Sequence, residues 1–410
     1  MLKTLRNSIL NEKEAIKIPK SAQASIPIEK IYDDGIWKVN NHYSRTWLFT
    51  DINFAVASED DKRAILLQYC SFLNSLPTDA TIKITINNRK LNLKEFRHRL
   101  MLTSKKDNLD DYRAEYNRML QDKAAATQNM TQEKYITVAI NKKTIEEARA
   151  AFIRIEADLI SNLSRLSSNV TAMGNIERLK LLHDFFRPND EPDINIDLKQ
   201  IMRRGHNFKD DICPDSIMFK SDYFEIDEKV GRVLFMKEYA TFIDDGMIAK
   251  LTDISKNMML SIDILPIPTE EALKEIQNKM LAVETDITRW QRKQNQNYNF
   301  SAMIPYEMRQ MREEAEEFLD DLTTKDERMM FALITIVHVA DDIDQLNADT
   351  ESLVSMVKSK FSNLSVLRWQ QEDGLNTVLP YGLRRIHALR TLNTGSVSAL
   401  NPFSVQEAVK

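Results

Sequence analysis

The residue types that most often carry out chemistry, histidine and cysteine, form no complete site in this sequence. None of the six histidines belongs to an HExxH motif, and none lies at zinc-ligand spacing from a cysteine. His183 beside Asp184, and His338 shortly before Asp341 and Asp342, are partial ligand sets. Because both sets lack further ligands, structural histidines are favoured, and we expect no catalytic, cofactor-binding or metal-binding residue.

Glycine is scarce, with 8 glycines in 410 residues. Each stands alone, so no two are close enough for the backbone to turn around a phosphate group. The sequence also lacks a GK[ST] triplet and a GxGxxG motif. We therefore expect that this chain by itself is not an enzyme and binds neither ATP nor a dinucleotide.

Charge and hydropathy restrict the partners and the location. The formal net charge is −5, which argues against a general nucleic-acid-binding surface, although local basic clusters leave contact with nucleic acid open. The N-terminus lacks the apolar region of a signal peptide, and no apolar run approaches the ~20 residues that span a bilayer. The pattern indicates a cytoplasmic protein whose membrane association, if any, is peripheral.

Two basic clusters could contact phosphate, DNA or an acidic protein surface. The first comprises Arg203, Arg204, His206 and Lys209. The second, near the end of the sequence, is kept as a candidate partner-binding set and comprises Arg384, Arg385 and Arg390, with His387 between them. A solvated patch of charge is the favoured interpretation of both clusters.

Alternating hydrophobic patterns predict an α/β (α+β) protein with two related units in tandem. The first unit covers residues 26–190, the second covers 216–400, and an acidic then basic stretch with two prolines, 191–215, links them. Each unit reads as a strand hairpin, helix, strand, helical arm, strand, helix, strand and helix, and 137–173 matches the layout of 332–368 without a gap. A tandem pair and a chance likeness of alternating segments both stay open.

Local signals locate individual elements. Ser58 is expected to cap a helix that ends at Leu76, before Pro77. Isoleucines alternate with threonine, lysine and asparagine over 81–87, which predicts a half-buried strand. Segments 28–40 and 43–54 are expected to form one hairpin, and 217–226 with 232–239 another, turning at Lys229–Gly231. Residues 1–25 indicate a mobile basic tail, with contact to a membrane surface as the alternative.

The region 269–322 shows the clearest periodicity. Apolar residues at spacings of 3 and 4 occur at Leu273, Ile276, Met280, Val283, Ile287 and Trp290, and again at Met308, Met311, Ala315, Phe318 and Leu322. An asparagine-rich break near 294–301 predicts a helical hairpin with its tip there. Trp290, Tyr298 and Phe300 are candidate partner-binding residues if the hairpin is a projecting arm. A hairpin packed flat on its own domain is the alternative.

Several long strings occur in an order that resembles the N-terminal half of conjugal-transfer ATPases of the VirB-four type, from conjugative elements of Gram-positive bacteria. They include IPIEKIYDDGIWKVNNHYSRTWLFTDINFAVA, KITINNR, NMMLSIDILPIPT, TDITRWQRKQNQNYNFSAMIPY, EEFLDDLTTKDERMMFA and QQEDGLNTVLPYGLRRIHALRTLNT. The resemblance implies a docking and assembly module of a type IV secretion ATPase. It also implies that 401–410 is the junction to a missing motor domain, for which alone ATP and Mg²⁺ are expected.

The resemblance further implies a peripheral location at the cytoplasmic face of the membrane. Expected partners are the membrane-channel proteins of the transfer apparatus and further copies of the chain in a ring, with no small-molecule substrate. Two alternatives stay open. One is a stand-alone adaptor of the transfer apparatus without a motor, and the other is an enzyme of unknown type built on buried acids or on a triad whose members are distant in sequence.

Overall fold

Strands from both halves of the sequence join in one large antiparallel sheet. The structure is a computed structural model and describes residues 21–90, 101–126, 130–187, 198, 203, 205–240, 243–297, 303–325 and 327–404. Within these ranges the sheet has 13 strands and is accompanied by helices. The mixed α/β fold class is confirmed.

The elements follow one another closely along the chain. In the first half they are α1 (Ala22–Ser25), β1 (Ile28–Ile31), β2 (Trp37–Val39), β3 (His42–Phe49), α2 (Glu59–Ser75), β4 (Ala80–Lys90), α3 (Asp110–Ala126), β5 (Met130–Ile140), α4 (Ile145–Arg165), β6 (Val170–Ala172) and α5 (Asn175–Phe186). In the second half they are β7 (Ile217–Phe219), β8 (Phe224–Ile226), β9 (Lys229–Glu238), α6 (Met247–Thr252), β10 (Met258–Pro266), α7 (Thr269–Gln296), α8 (Tyr306–Thr324), β11 (Met329–Ala340), α9 (Ile343–Lys358), β12 (Asn363–Val366), α10 (Gln371–Val378), β13 (Arg390–Asn393) and α11 (Thr394–Ser398).

The two halves contribute strands in the same order from opposite edges of the sheet. The order is β1-β2-β3-β5-β4-β10-β11-β9-β8-β7, with β6 beside β3, β12 beside β9 and β13 beside β11. This common order is consistent with two related units, which remain a prediction. The ungapped match does not extend through α4 and α9, because these helices have 21 and 16 residues.

The central pair of strands, β4 and β10, is antiparallel. Asn88 near the end of β4 lies opposite Met258 at the start of β10, and Ile264 near the end of β10 lies opposite Ile82. The segment with α3 follows β4, whereas α7 and α8 follow β10. These two helical segments therefore leave the sheet at opposite ends of this central pair.

The helix caps agree with the local sequence signals. The Ser58 Oγ accepts a hydrogen bond from the Asp61 N–H at 3.2 Å, and α2 begins at the next residue. Thr144 and Asp342 cap α4 and α9 in the same way. Each cap satisfies an N–H group that has no partner within the helix, which explains why these starts were predictable.

Two hairpins differ from the prediction. Segment 28–40, expected as one arm of a hairpin, itself folds back into β1 and β2. The turn between β8 and β9 lies at Asp227, with φ 49°, whereas Lys229–Gly231 belongs to β9. Gly231, which the prediction placed in the turn, makes room for a ring: a Cβ there would lie 2.3 Å from Cζ of Phe224.

The strand β4 was expected to be half-buried, and this prediction is wrong. Its isoleucines belong to one core cluster, and Lys83, Thr85 and Asn87 on the opposite face are also buried. Lys83 reaches the carbonyl oxygen of Thr377 in α10. The polar face of β4 is therefore covered by the second half of the chain.

The end of the second half packs on the first. Gly382, with φ 80°, lies so close to β3 and β5 that a Cβ would be 3.0 Å from Cβ of Ser44. The ring of Phe403 lies edge-on to Tyr69, with ring centroids 5.4 Å apart. Ile212 and Cys213, from the predicted linker, are buried in the core, and the carbonyl of Ser25, from the predicted tail, accepts a hydrogen bond from Asn376. These contacts join the predicted regions into one packed body.

Candidate docking surfaces

The predicted helical hairpin is present and consists of α7 and α8. With 28 residues, α7 is about 42 Å long. Its six predicted seam residues are all buried or half-buried, whereas most residues between them are exposed. In α8 the same holds for the predicted residues except Met311, whose side chain is 54% exposed and lies outside the seam. The Arg312 Nε lies 2.8 Å from Glu284 Oε1, which links the two helices.

Only the base of the hairpin enters the core. Ala272 and Ile276 of α7 and Leu322 of α8 pack in a cluster with residues of β10 and β11. Beyond Ile276, α7 continues for about 30 Å, and in the described ranges neither helix makes extensive contact with another element. The hairpin is therefore a projecting arm rather than a flat-packed pair.

The outer part of the arm carries exposed apolar side chains. Trp290 is half-buried on the seam. Tyr298 and Phe300, the other two candidates, lie outside the described residues. Met303 and Tyr306, which sequence reasoning missed, are 86% and 70% exposed. Their position beside the predicted tip was the available signal.

The basic set Arg384, Arg385 and Arg390 does not form one solvated patch. Arg384 and Arg385 are half-buried, and the Oγ of Thr377 accepts a hydrogen bond from the Arg385 N–H at 2.9 Å. The Arg385 Nη1 lies 3.5 Å from Asp373 Oδ1. The expectation of a solvated patch is wrong for these two arginines because this segment is tied to α10. Arg390, at the start of β13, is exposed.

The histidines of the two partial ligand sets, His183 and His338, are both buried. Among the described residues there is no set of three or more His, Cys, Asp or Glu side chains placed to hold a metal ion. The Nδ1 of His183 lies 3.5 Å from Asp184 Oδ1, and His183 is buried. His338 is also buried, with its Nε2 3.1 Å from the Thr350 Oγ. Burial, followed by the charges of Arg232 and Lys256, lowers the pKa of His338 to about 3.

The buried His338 predicts a loss of stability in mild acid. Its pKa is about 3 in the folded chain and 6.5 when unperturbed. Below pH 6.5 the histidine is therefore protonated in the unfolded chain but stays neutral in the folded chain. The free energy of unfolding should therefore fall by about 2 kcal/mol from this group between pH 7 and pH 5. Urea unfolding at both pH values should show a smaller loss for His338→Gln. Equal losses in both proteins would contradict the assignment.

Two comparisons of the sequence with known proteins found no match. No protein-family model matches the sequence, and no curated protein matches it significantly. None of the helices in the described ranges combines the length and the apolar character that crossing a membrane requires.

Proposed function

We propose that this chain is a docking and assembly module of a conjugative DNA-transfer (type IV secretion) apparatus. In this proposal it positions a motor ATPase at the membrane channel and beside neighbouring protomers, and has no nucleotide chemistry of its own. The observation that carries the proposal is the projecting arm α7–α8 with exposed apolar side chains at its outer end. The scarcity of glycine and the sequence resemblance described above support it.

The arm suits docking because its own core holds it in shape. The apolar seam and the ion pair between Arg312 and Glu284 join the two helices along their length. A rigid arm loses little conformational freedom on binding, so more of the contact energy remains for affinity. Methionine and aromatic side chains such as Met303 and Tyr306 are the types enriched at protein interfaces.

A module without chemistry can still control where chemistry happens. If the arm binds a channel protein, a motor attached to the same chain gains a high effective concentration at the channel. The proposed partners are therefore the membrane-channel proteins of the apparatus and further copies of this chain, and the proposed location is the cytoplasmic face of the membrane.

The double substitution Met303→Ser with Tyr306→Ser tests the arm. Both side chains are exposed, so the variant should unfold at nearly the wild-type temperature. If the arm docks, transfer of the conjugative element that encodes the chain should fall at least tenfold when this variant replaces the native chain. Transfer frequency and thermal unfolding are measured together, with equal protein levels checked.

Two further variants serve as controls. Ile276→Ser removes a buried side chain at the base of the arm and should cost on the order of 2 kcal/mol of stability. Leu281→Ser alters a side chain that is 67% exposed within α7, away from the outer end, and should leave both stability and transfer unchanged. Wild-type transfer by the outer-end variant would refute docking through the arm. Undiminished transfer after deletion of the whole gene would refute the transfer function.

A further inference from the structure

An open cleft lies beside the last strand of the sheet, in a region that the docking proposal does not use. Its volume is about 570 Å³, and it opens between the β7–β8 turn and the start of α10. Seven residues line it: Phe219, Lys220, Ser221, Tyr223, Trp369, Gln371 and Glu372.

The cleft forms between β8 and β12, which pair with successive parts of the same edge of β9 and leave a break between them. There, the Val233 N–H donates to Gln371 Oε1 at 2.8 Å, and the Val233 carbonyl accepts from the Leu367 N–H at 3.1 Å. The matching break beside β3 contains the bond from the Met173 N–H to the Thr46 carbonyl, at 3.0 Å. Gly174 caps α5 directly after that bond, whereas Arg368 and Trp369 intervene before α10 in the second half. Of these two additional residues, Trp369 lines the cleft.

Trp369 is held in an unusual conformation at the rim. Its φ is 62°, in the left-handed region that non-glycine residues rarely adopt, and its side chain is 84% exposed. The Trp369 N–H donates to the Ser221 carbonyl at 2.6 Å, which fixes the backbone across the cleft. A large aromatic ring is thus held exposed to solvent at the rim of the cleft.

Glu372 is the one acid among the described residues that line the cleft, and Arg385, whose charge acts on it, forms its ion pair with Asp373 instead. Glu372 is half-buried, and within the described part of the chain its carboxylate makes no hydrogen bond and no ion pair. Asp373, its neighbour on α10, lies 3.5 Å from Arg385, and Lys220 lies 3.9 Å from Glu225. Burial, and then the charge of Asp373, raise the pKa of Glu372 to about 7.

We propose that this cleft binds the guanidinium group of an arginine side chain of a partner protein. The carboxylate of Glu372 supplies the counter-charge, and the rings of Trp369 and Tyr223 supply flat surfaces for the cation. A planar cation stacks on aromatic rings and accepts a carboxylate at its edge, which a compact ammonium group does less well. The chain shows this chemistry internally, since the guanidinium of Arg178 lies 3.8 Å from the ring centre of Trp37.

The inference rests on the proposed docking function only for the source of the arginine. Its test uses a small probe and the full chain, and so does not depend on any partner being known. N-acetyl-arginine methylamide is titrated into protein labelled with 5-fluorotryptophan and followed by fluorine NMR. The chain has four tryptophans, so four fluorine signals are expected. The signal of Trp369 is assigned from its loss in Trp369→Phe. The blocked citrulline, which is neutral and of similar shape, is the matched control ligand.

We expect the arginine probe to shift the Trp369 signal alone, and the citrulline probe to shift none. Affinity should rise about tenfold between pH 6 and pH 8, because Glu372 ionises over this range while arginine stays charged. Besides Lys220, Asp373 and Arg385, the exposed His387 lies near Asp373 and also titrates. The variant Glu372→Gln separates these contributions: it should bind about tenfold more weakly at pH 8 and lose the rise with pH.

Three results would overturn the proposal: no shift of the Trp369 signal, an equal shift with citrulline, or an unchanged pH dependence in Glu372→Gln. Thermal unfolding checks that Glu372→Gln and Trp369→Phe are folded. Neither variant touches the arm α7–α8. A failed titration combined with reduced transfer by the Met303/Tyr306 variant would therefore refute the cleft and leave the docking proposal standing.

Discussion

Replacing Lys83 with methionine is expected to lower the free energy of unfolding by about 3–5 kcal/mol, because it leaves Asp263 as an unpaired buried acid. The Lys83 Nζ lies 2.7 Å from Asp263, both side chains are 0% exposed, and the two residues lie opposite each other in β4 and β10. The Nζ also donates to the Thr377 carbonyl. Burial lowers the pKa of Lys83 and raises the pKa of Asp263, so each charge depends on the other.

Two comparisons make this prediction specific. Lys142→Met breaks an ion pair with Asp79 that is 29% and 60% exposed, and should change stability little. The double variant Lys83→Met with Asp263→Leu removes both charges together and should recover most of the loss, since an apolar pair carries no desolvation cost. Urea unfolding of the full chain measures all three. If Lys83→Met were no worse than Lys142→Met, the pair would not be a buried ion pair in solution.

The second large effect is expected at Arg178, where even substitution by lysine should lower the free energy of unfolding by about 3 kcal/mol. The guanidinium is 3% exposed and donates to the carbonyls of Gly35 and Ser44, at 3.1 and 3.2 Å, and to that of Pro380 at 3.4 Å. In the described part of the chain no carboxylate lies within ion-pair distance of it. Lysine has neither the planar fork that reaches these carbonyls nor the stacking on Trp37.

Arg149→Lys is the matched control, because Arg149 is exposed and pairs with Asp34 at the surface. It should unfold at the same urea concentration as the wild-type chain, while Arg178→Lys unfolds at a clearly lower one. Arg178 donates hydrogen bonds to both halves of the chain. Arg178→Lys should therefore destabilise both halves, which should unfold in a single transition. Two separate transitions in the wild-type chain would show instead that the halves unfold independently and that Arg178 does not couple them.

Local chemistry explains what the sequence made predictable. Ser58, Thr144 and Asp342 satisfy helix N–H groups a few residues away, so the helix starts can be read from short stretches. The seam of α7 repeats over several turns of one helix, which made the arm predictable as well. The docking role of the arm, and the resemblance that suggested it, stay predictions.

Contacts between distant parts of the sequence explain the predictions that were wrong. The alternation in β4 assigned Lys83 to a solvent face, because nothing nearby showed that Thr377 would cover it 294 residues later. Arg384 and Arg385 were read as surface charges for the same reason. Trp369 lies outside α10 in a left-handed conformation that propensity alone disfavours.

The segment with α3 and the arm α7–α8 leave the sheet at opposite ends, and this has a mechanical consequence. The segment with α3 leaves the end of β4, and the arm α7–α8 leaves the far end of β10. Tension applied between them would pull these neighbouring strands along their lengths in opposite directions. Antiparallel hydrogen bonds run across the strands, so such a load is shared by the whole row at once rather than opening it one bond at a time. The centre of the sheet is thus a shear-resistant link between the segment with α3 and the arm α7–α8.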